Sequence, residues 1–245
     1  MKKRVKRAFV IGVLLALGSV LWVVLLPTLV AATIRSRTGF AVQVDQLSVN
    51  PFTGDARISG LVLKNPAGWP EAAFVDLRKF SAEVELLSLL GSKYIADEMV
   101  VDLAQLTLVR NKEGVLNALA FKDGLTGEAS AGQAPAGGGK ARQFLIRHLV
   151  LRFDKLVYAD FSGRRPAVKE YSLGLARDLT DVDSLTKVIS PFTGAALGVM
   201  SDAFGRLFKV QPDLLQESVN TLQGAGNKTG ETLKSIFQSL EKRKP

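Results

Sequence analysis

His148 is the only histidine in the chain and the side chain best suited to proton transfer near neutral pH. It lies among apolar residues in the run Phe144 to Phe153, and no motif supplies the nucleophile or orienting partner that a general base needs. It reads as a strand histidine facing a sheet edge. Asp178, Asp181 and Asp183 are close enough in sequence to suggest oxygen ligands for a divalent cation, but the spacing lacks the glycine and terminal glutamate of a calcium loop. Solvated caps at the start of a helix are the simpler expectation. Glu83 and Glu85, two apart on an alternating strand with Lys79 nearby, share a wet face rather than form an acid/base pair. The glycines between 132 and 139 have no following lysine and serine or threonine to make a phosphate loop. With no cysteine in the chain, disulfides, thiol nucleophiles and thiolate metal sites are excluded. No catalytic, metal or cofactor site emerges, so the chain reads as non-enzymatic, with no cofactor.

The elements around these residues begin with charge and hydropathy. Lys2, Lys3, Arg4, Lys6 and Arg7 supply five of the formal net charges of +9, and residues 8–32 then carry no charge at all. Twenty-five residues at about 1.5 Å each exceed a hydrocarbon core of about 30 Å, so this run is expected to be a transmembrane helix. Val30 and Ala32 would suit a signal-peptidase cut, but the run is longer than the 7–15 apolar residues or so of a cleaved signal, which favours an uncleaved anchor. The positive-inside bias places residues 1–7 in the cytoplasm and the body on the far side, in a periplasm where the cell has one. Charges of both signs beyond the anchor are interspersed along strand-like segments, which argues against nucleic-acid binding.

Beyond the anchor, residues 36–180 read as strands. Phe40, Val42 and Val44 alternate with polar neighbours, Asn50-Pro51-Phe52-Thr53-Gly54 turns the chain, and Ala56-Arg57-Ile58 resumes the alternation. Asn65 to Pro70 forms a loop, with Trp69 packing it down. From Lys79 to Leu87, Phe80, Ala82, Val84 and Leu86 alternate with charged or polar residues, and Leu86 to Leu90 turns briefly helical. Tyr94 to Arg110 shifts phase near Ala104-Gln105, which predicts a bulge or break. Asn111 to Gly114 turns, and residues 124–139 read as a flexible loop. Strand patterns return at Phe144 to Phe153, Lys155 to Asp160 and Val168 to Leu175. Helical spacing begins after Asp183: Leu185, Val188, Ile189 and Phe192; Phe204, Leu207 and Phe208; Leu214, Leu215, Val219 and Leu222; and a last stripe of Leu233, Ile236, Phe237 and Leu240. The stripes from Leu185 to Phe208 are expected to pack on a sheet, whereas the last suits packing or a membrane surface equally. Ser190-Pro191-Phe192-Thr193-Gly194 echoes the residue 50–54 turn without extending into a repeat.

The phrases Phe144-Leu145-Ile146-Arg147-His148-Leu149-Val150-Leu151, Leu156-Val157-Tyr158-Ala159-Asp160 and Tyr171-Ser172-Leu173 resemble the repeated strand unit of the AsmA-like family of bacterial envelope proteins. Val49 to Gly54 through Leu61 to Pro66 is similar to the opening hairpin of that family, and Gly114-Val115-Leu116-Asn117 to the phrase closing its first half. The resemblance covers roughly residues 1–180 and implies a sheet with an apolar groove that carries or shields lipid. At about 3.3 Å per residue and about 4.8 Å between strands, this sheet is too short to bridge two membranes by itself. The helical tail matches no family phrase.

The expected fold is therefore α+β: an N-terminal transmembrane helix, an antiparallel, curved, groove-like meander over 36–180, and C-terminal amphipathic helices over 184–245. The expected groove residues are Phe80, Val84, Leu86, Val101, Leu149 and Leu151. The expected setting is a single-pass protein of the inner membrane with a periplasmic body that handles lipid or maintains the outer envelope. Its partners would be the membrane, lipid acyl chains and an envelope protein. The alternative is a periplasmic scaffold that binds a protein through its sheet edge or its C-terminal helices.

Overall fold

The computed structural model describes residues 26–127, 143–208 and, apart from 212, 214 and 222, 210–224. The basic cluster Lys2, Lys3, Arg4, Lys6 and Arg7, most of the expected spanning run, loop residues 128–139 and the stripe from Leu233 to Leu240 lie outside the described residues. Among those described, no helix is long and apolar enough to cross a membrane. The described residues belong to two compact units that divide between Asp181 and Val182.

The first unit opens with helix α1, residues 26–38. Thr38 ends it: its hydroxyl donates to the Ile34 carbonyl at 2.6 Å and accepts the Phe40 N–H at 3.1 Å, which turns the chain into a strand. Six strands follow, β1 (Ala41–Val49), β2 (Asp55–Lys64), β3 (Ala73–Val84), β4 (Lys93–Arg110), β5 (Gln143–Asp160) and β6 (Ala167–Val182), side by side in chain order. The hairpin between β1 and β2 is set by Asn50, whose side-chain oxygen accepts the N–H groups of Phe52 and Thr53 at 3.0 and 3.4 Å. Gly54 closes this turn with φ of 82°, and any Cβ there would lie 2.0 Å from the Val84 carbonyl oxygen. Glycine is required there because the turn rests on the end of β3.

The sheet is curved and mixed, which corrects the expected antiparallel meander. Strands β1 to β4 pair antiparallel, but β5 runs parallel to β4 in unbroken direction from Lys93 opposite Gln143 to Arg110 opposite Asp160. A parallel neighbour requires the chain to return to its starting end, and such crossovers take a dozen or more residues, usually with a helix. The connection between β4 and β5 has that length, and its described part contains helix α2 (Asn117–Thr126), for which the sequence reading had no element and which takes in residues 124–126 that were expected to be loop. Pairing is irregular where the alternation changes phase: β4 skips Ala104 against β3, and β3 skips Arg78. Strand β5 is continuous where the pattern suggested two segments, and β6 extends past the expected end at Leu175 to Val182.

Two devices lock α2 to the sheet. The rings of Phe40, Phe74 and Phe121 meet with centroids 5.1–5.6 Å apart, two of the three contacts edge-on. Asn117, fully buried, sits beside β4 beyond Leu106, the last residue of that strand paired with β3. Its side-chain oxygen accepts the Val109 N–H at 3.0 Å and its amide donates to the Thr107 carbonyl at 2.8 Å. The side chain thus offers β4 one acceptor and one donor, as a neighbouring strand would.

The second unit contains α3 (Leu185–Ile189), α4 (Gly194–Phe208) and α5 (213–224). Ile189, Phe192, Leu197, Met200, Leu215 and Val219 form its core, and the Gln223 amide ties α5 to the Ser190 and Phe192 carbonyls at 2.6 and 3.0 Å. Phe192 is buried here whereas Phe52, at the same place in the echoed phrase, is 89% exposed, so the two phrases build different structures.

Candidate functional site

Residues directly opposite each other on neighbouring strands share a face of the sheet, so the register turns the alternation into rows. One row runs Leu47, Ile58, Phe80, Val101, Leu151 across β1 to β5; the next runs Val49, Ala56, Ala82, Met99, Leu149. The register therefore brings together four of the six expected groove residues, Phe80, Val101, Leu149 and Leu151. Val84 stands opposite Ala96 beyond an irregularity that follows Glu83, and Leu86 lies outside the strand in a 3-10 turn, Leu86–Leu90. Leu47, Val49, Ala56, Ile58, Ala82 and Met99 complete the rows; alternation marked the side of Ile58, Ala82 and Met99 on their strands but could not align the strands. The apolar face is graded in exposure: Leu149 and Leu151 are buried, whereas Phe80 and Val101 are half-buried.

The other face carries charge. A row of Asp55, Glu83, Glu98 and His148 crosses β2 to β5, and the His148 Nε2–H donates to Asp178 of β6 at 2.6 Å. Lys155 of β5 pairs with Glu170 of β6 at 2.6 Å; the two cross-links run in opposite directions along the strands, so β6 returns antiparallel to β5. His148 lies one strand in from the edge, next to the edge strand β6. Arg78, at the β3 irregularity, donates to Asp102 and Asp154, each at 2.8 Å. Those two carboxylates, Asp154 foremost, raise the pKa of its guanidinium above the ordinary arginine value. Glu85 turns to Arg147, which also binds Asp97, so Glu83 and Glu85 make no carboxylate pair.

The three clustered aspartates separate. Asp178 binds His148, Asp181 lies in β6 with φ of 51°, and Asp183 pairs with Lys187 at 3.1 Å, which lowers the Asp183 pKa. Only Asp183 stands near a helix start, next to the N-cap Ser184. Among the described residues, no three His, Cys, Asp or Glu side chains gather as a metal site. The His148–Asp178 pair is half-exposed on an open sheet face, where solvent weakens any electrostatic role.

The structure adds two features. Phe52, Leu87, Leu89 and Leu90 are exposed at one end of the sheet, on adjacent turns joined by the Val84 N–H to Gly54 carbonyl bond of 3.1 Å. The leucines point outward because Ser88 is turned inward, donating to the Glu85 carbonyl at 2.6 Å and accepting the Ile95 N–H at 3.0 Å. At the other end, α1 and β1 enclose a groove of about 430 Å³. Compared with known protein families, curated proteins and solved structures, the chain matches none of them.

Proposed function

We propose that this chain is a non-enzymatic, membrane-anchored envelope protein whose sheet contributes to lipid handling or outer-envelope maintenance, with its body periplasmic and its anchor in the inner membrane. The observation that carries this reading is the pair of apolar rows across five strands, half-open at Phe80 and Val101. An apolar strip running across the strands offers acyl chains a continuous path, whereas a catalytic site needs convergent polar groups. The uncharged run of residues 8–32 and the AsmA-like strand phrases support the membrane setting.

The test is lipid transfer by the full chain reconstituted into donor vesicles that carry a self-quenched fluorescent phospholipid, with unlabelled acceptor vesicles. Dequenching faster than in protein-free vesicles, and slowed by Val101→Asp, is expected. A rate equal to the protein-free rate removes lipid handling. One observation favours the second reading, a scaffold that binds a protein by strand addition: β6 ends the sheet, and most of its 16 residues are exposed.

A further inference from the structure

We propose that the groove between α1 and β1 holds one acyl chain of an anionic phospholipid, with Arg35 taking the headgroup phosphate; this rests on the membrane-anchored reading above. The groove is lined from the helix by Thr28, Ala31, Ala32 and Arg35 and from the edge strand by Val42 and Val44. Its volume of about 430 Å³ falls within the range of small-ligand clefts, roughly 300–1,000 Å³. Ala31 and Ala32 open it, since larger side chains would fill the space between helix and strand. Arg35 is the one charged residue in the lining. It is exposed, and its guanidinium has no ion-pair or hydrogen-bond partner among the described residues, so it is available to an anion.

Position along the helix supplies the second argument. The uncharged stretch ends at Ile34 and Arg35 is the first charge after it, about 1.5 Å further along the axis and about 4.5 Å beyond Ala32. With the run in the bilayer, that rise places the guanidinium within the polar headgroup layer, about 5–7 Å deep on each side. Apolar walls on the bilayer side and a cation at headgroup depth match a phospholipid entering sideways. The groove is held in place because α2 packs on the end of α1: a Cβ on Gly124 would lie 2.9 Å from the Thr38 Cα.

The absence of cysteine permits single-cysteine labelling of the full chain. Bimane would be placed separately at Val44→Cys inside the groove, at Gln43→Cys on the opposite side of β1, and at Leu21→Cys in the apolar run. Each labelled protein is reconstituted in phosphatidylcholine vesicles containing acyl-spin-labelled phosphatidylglycerol or acyl-spin-labelled phosphatidylcholine. Quenching at Val44 but not Gln43 is expected, with about fivefold preference for the glycerol lipid that Arg35→Gln abolishes. Quenching at Leu21 without any at Val44 overturns the groove alone; no quenching at Leu21 overturns the anchored reading beneath it. Equal quenching at Val44 and Gln43 reduces the signal to bilayer proximity and overturns the proposal. A preference that survives Arg35→Gln, or one removed by millimolar inorganic phosphate as competitor without that lipid leaving the vesicles, overturns the assigned headgroup contact.

Discussion

Replacing Asn117 with alanine should cost about 3 kcal/mol, the largest loss expected from any single polar residue in the sheet unit. The Asn117 side chain makes four hydrogen bonds: it accepts from Val109 and Ala118 and donates to the Thr107 carbonyl and the Asn65 side-chain oxygen, at 2.8–3.1 Å. Val109 and Thr107 are 0% and 2% exposed, and β3 supplies no partner to β4 past Leu106, so removing the amide strands both groups away from water. An orphaned buried backbone group costs about 1–3 kcal/mol. At the low end for Val109, Thr107 and the Asn65 oxygen, because water enters part of the vacated space, the sum is about 3 kcal/mol. The melting temperature of the sheet unit should fall by about 6–12 °C on far-UV circular dichroism of the full chain. Hydrogen exchange should quicken first at Thr107 to Ala118. Asn117→Asp should be at least as damaging, since it keeps the acceptor but sets a carboxylate oxygen against the Thr107 carbonyl. The comparison is Asn111→Ala, where an exposed side chain gives up one bond, to the Val115 N–H at 2.8 Å, for about 0.5 kcal/mol. Equal losses at positions 111 and 117, or an aspartate variant as stable as the native chain, would refute the strand-substitute role.

Glu83 lies between Asp55 and Glu98 in the carboxylate row, so Glu83→Lys should stabilise the sheet by about 0.5–1 kcal/mol in low salt, with the gain shrinking as salt rises in a denaturant titration. Asp160 accepts from the Ser162 hydroxyl and N–H at 2.6 and 2.9 Å, and these bonds, led by the hydroxyl, hold its pKa below the usual carboxylate value despite partial burial. Because the folded value is the lower one, its contribution is present above about pH 4 and fades as pH falls through the depressed value. Amide exchange in residues 161–166, corrected for intrinsic rate, should therefore accelerate below that range, and Asp160→Asn should flatten the dependence. In α4, the Ser201 hydroxyl is buried without a hydrogen-bond partner among the described residues, so Ser201→Ala should raise the stability of the helical unit by about 1 kcal/mol; a loss on chemical denaturation would show that the hydroxyl is satisfied.

Local chemistry in the sequence was enough to place the β1–β2 hairpin, the 3-10 turn after β3, the phase change at Ala104 and the two-sided character of the strands. Each depends on neighbours within a few residues: Asn50 and Gly54 for the turn, alternation of Phe80 and Ala82 with Lys79 and Ser81 for the face. The sequence also showed that His148 has no motif partner nearby, but not that Asp178, 30 residues on, would be bound to it.

Tertiary structure decided everything that depends on register and direction. The same strand patterns suit an antiparallel or a parallel neighbour, and only the return of the chain through α2 made β4 and β5 parallel. Register then chose the apolar set: it placed Phe80, Val101 and Leu151 in one row, brought in Ile58, Ala82 and Met99, and left Val84 and Leu86 beyond the rows. It likewise aligned Asp55, Glu83, Glu98 and His148, residues separated by up to 93 positions, into one charged row. Alternation has a period of two and carries no phase between distant strands, so it fixes which side a residue faces but not which residue stands beside it.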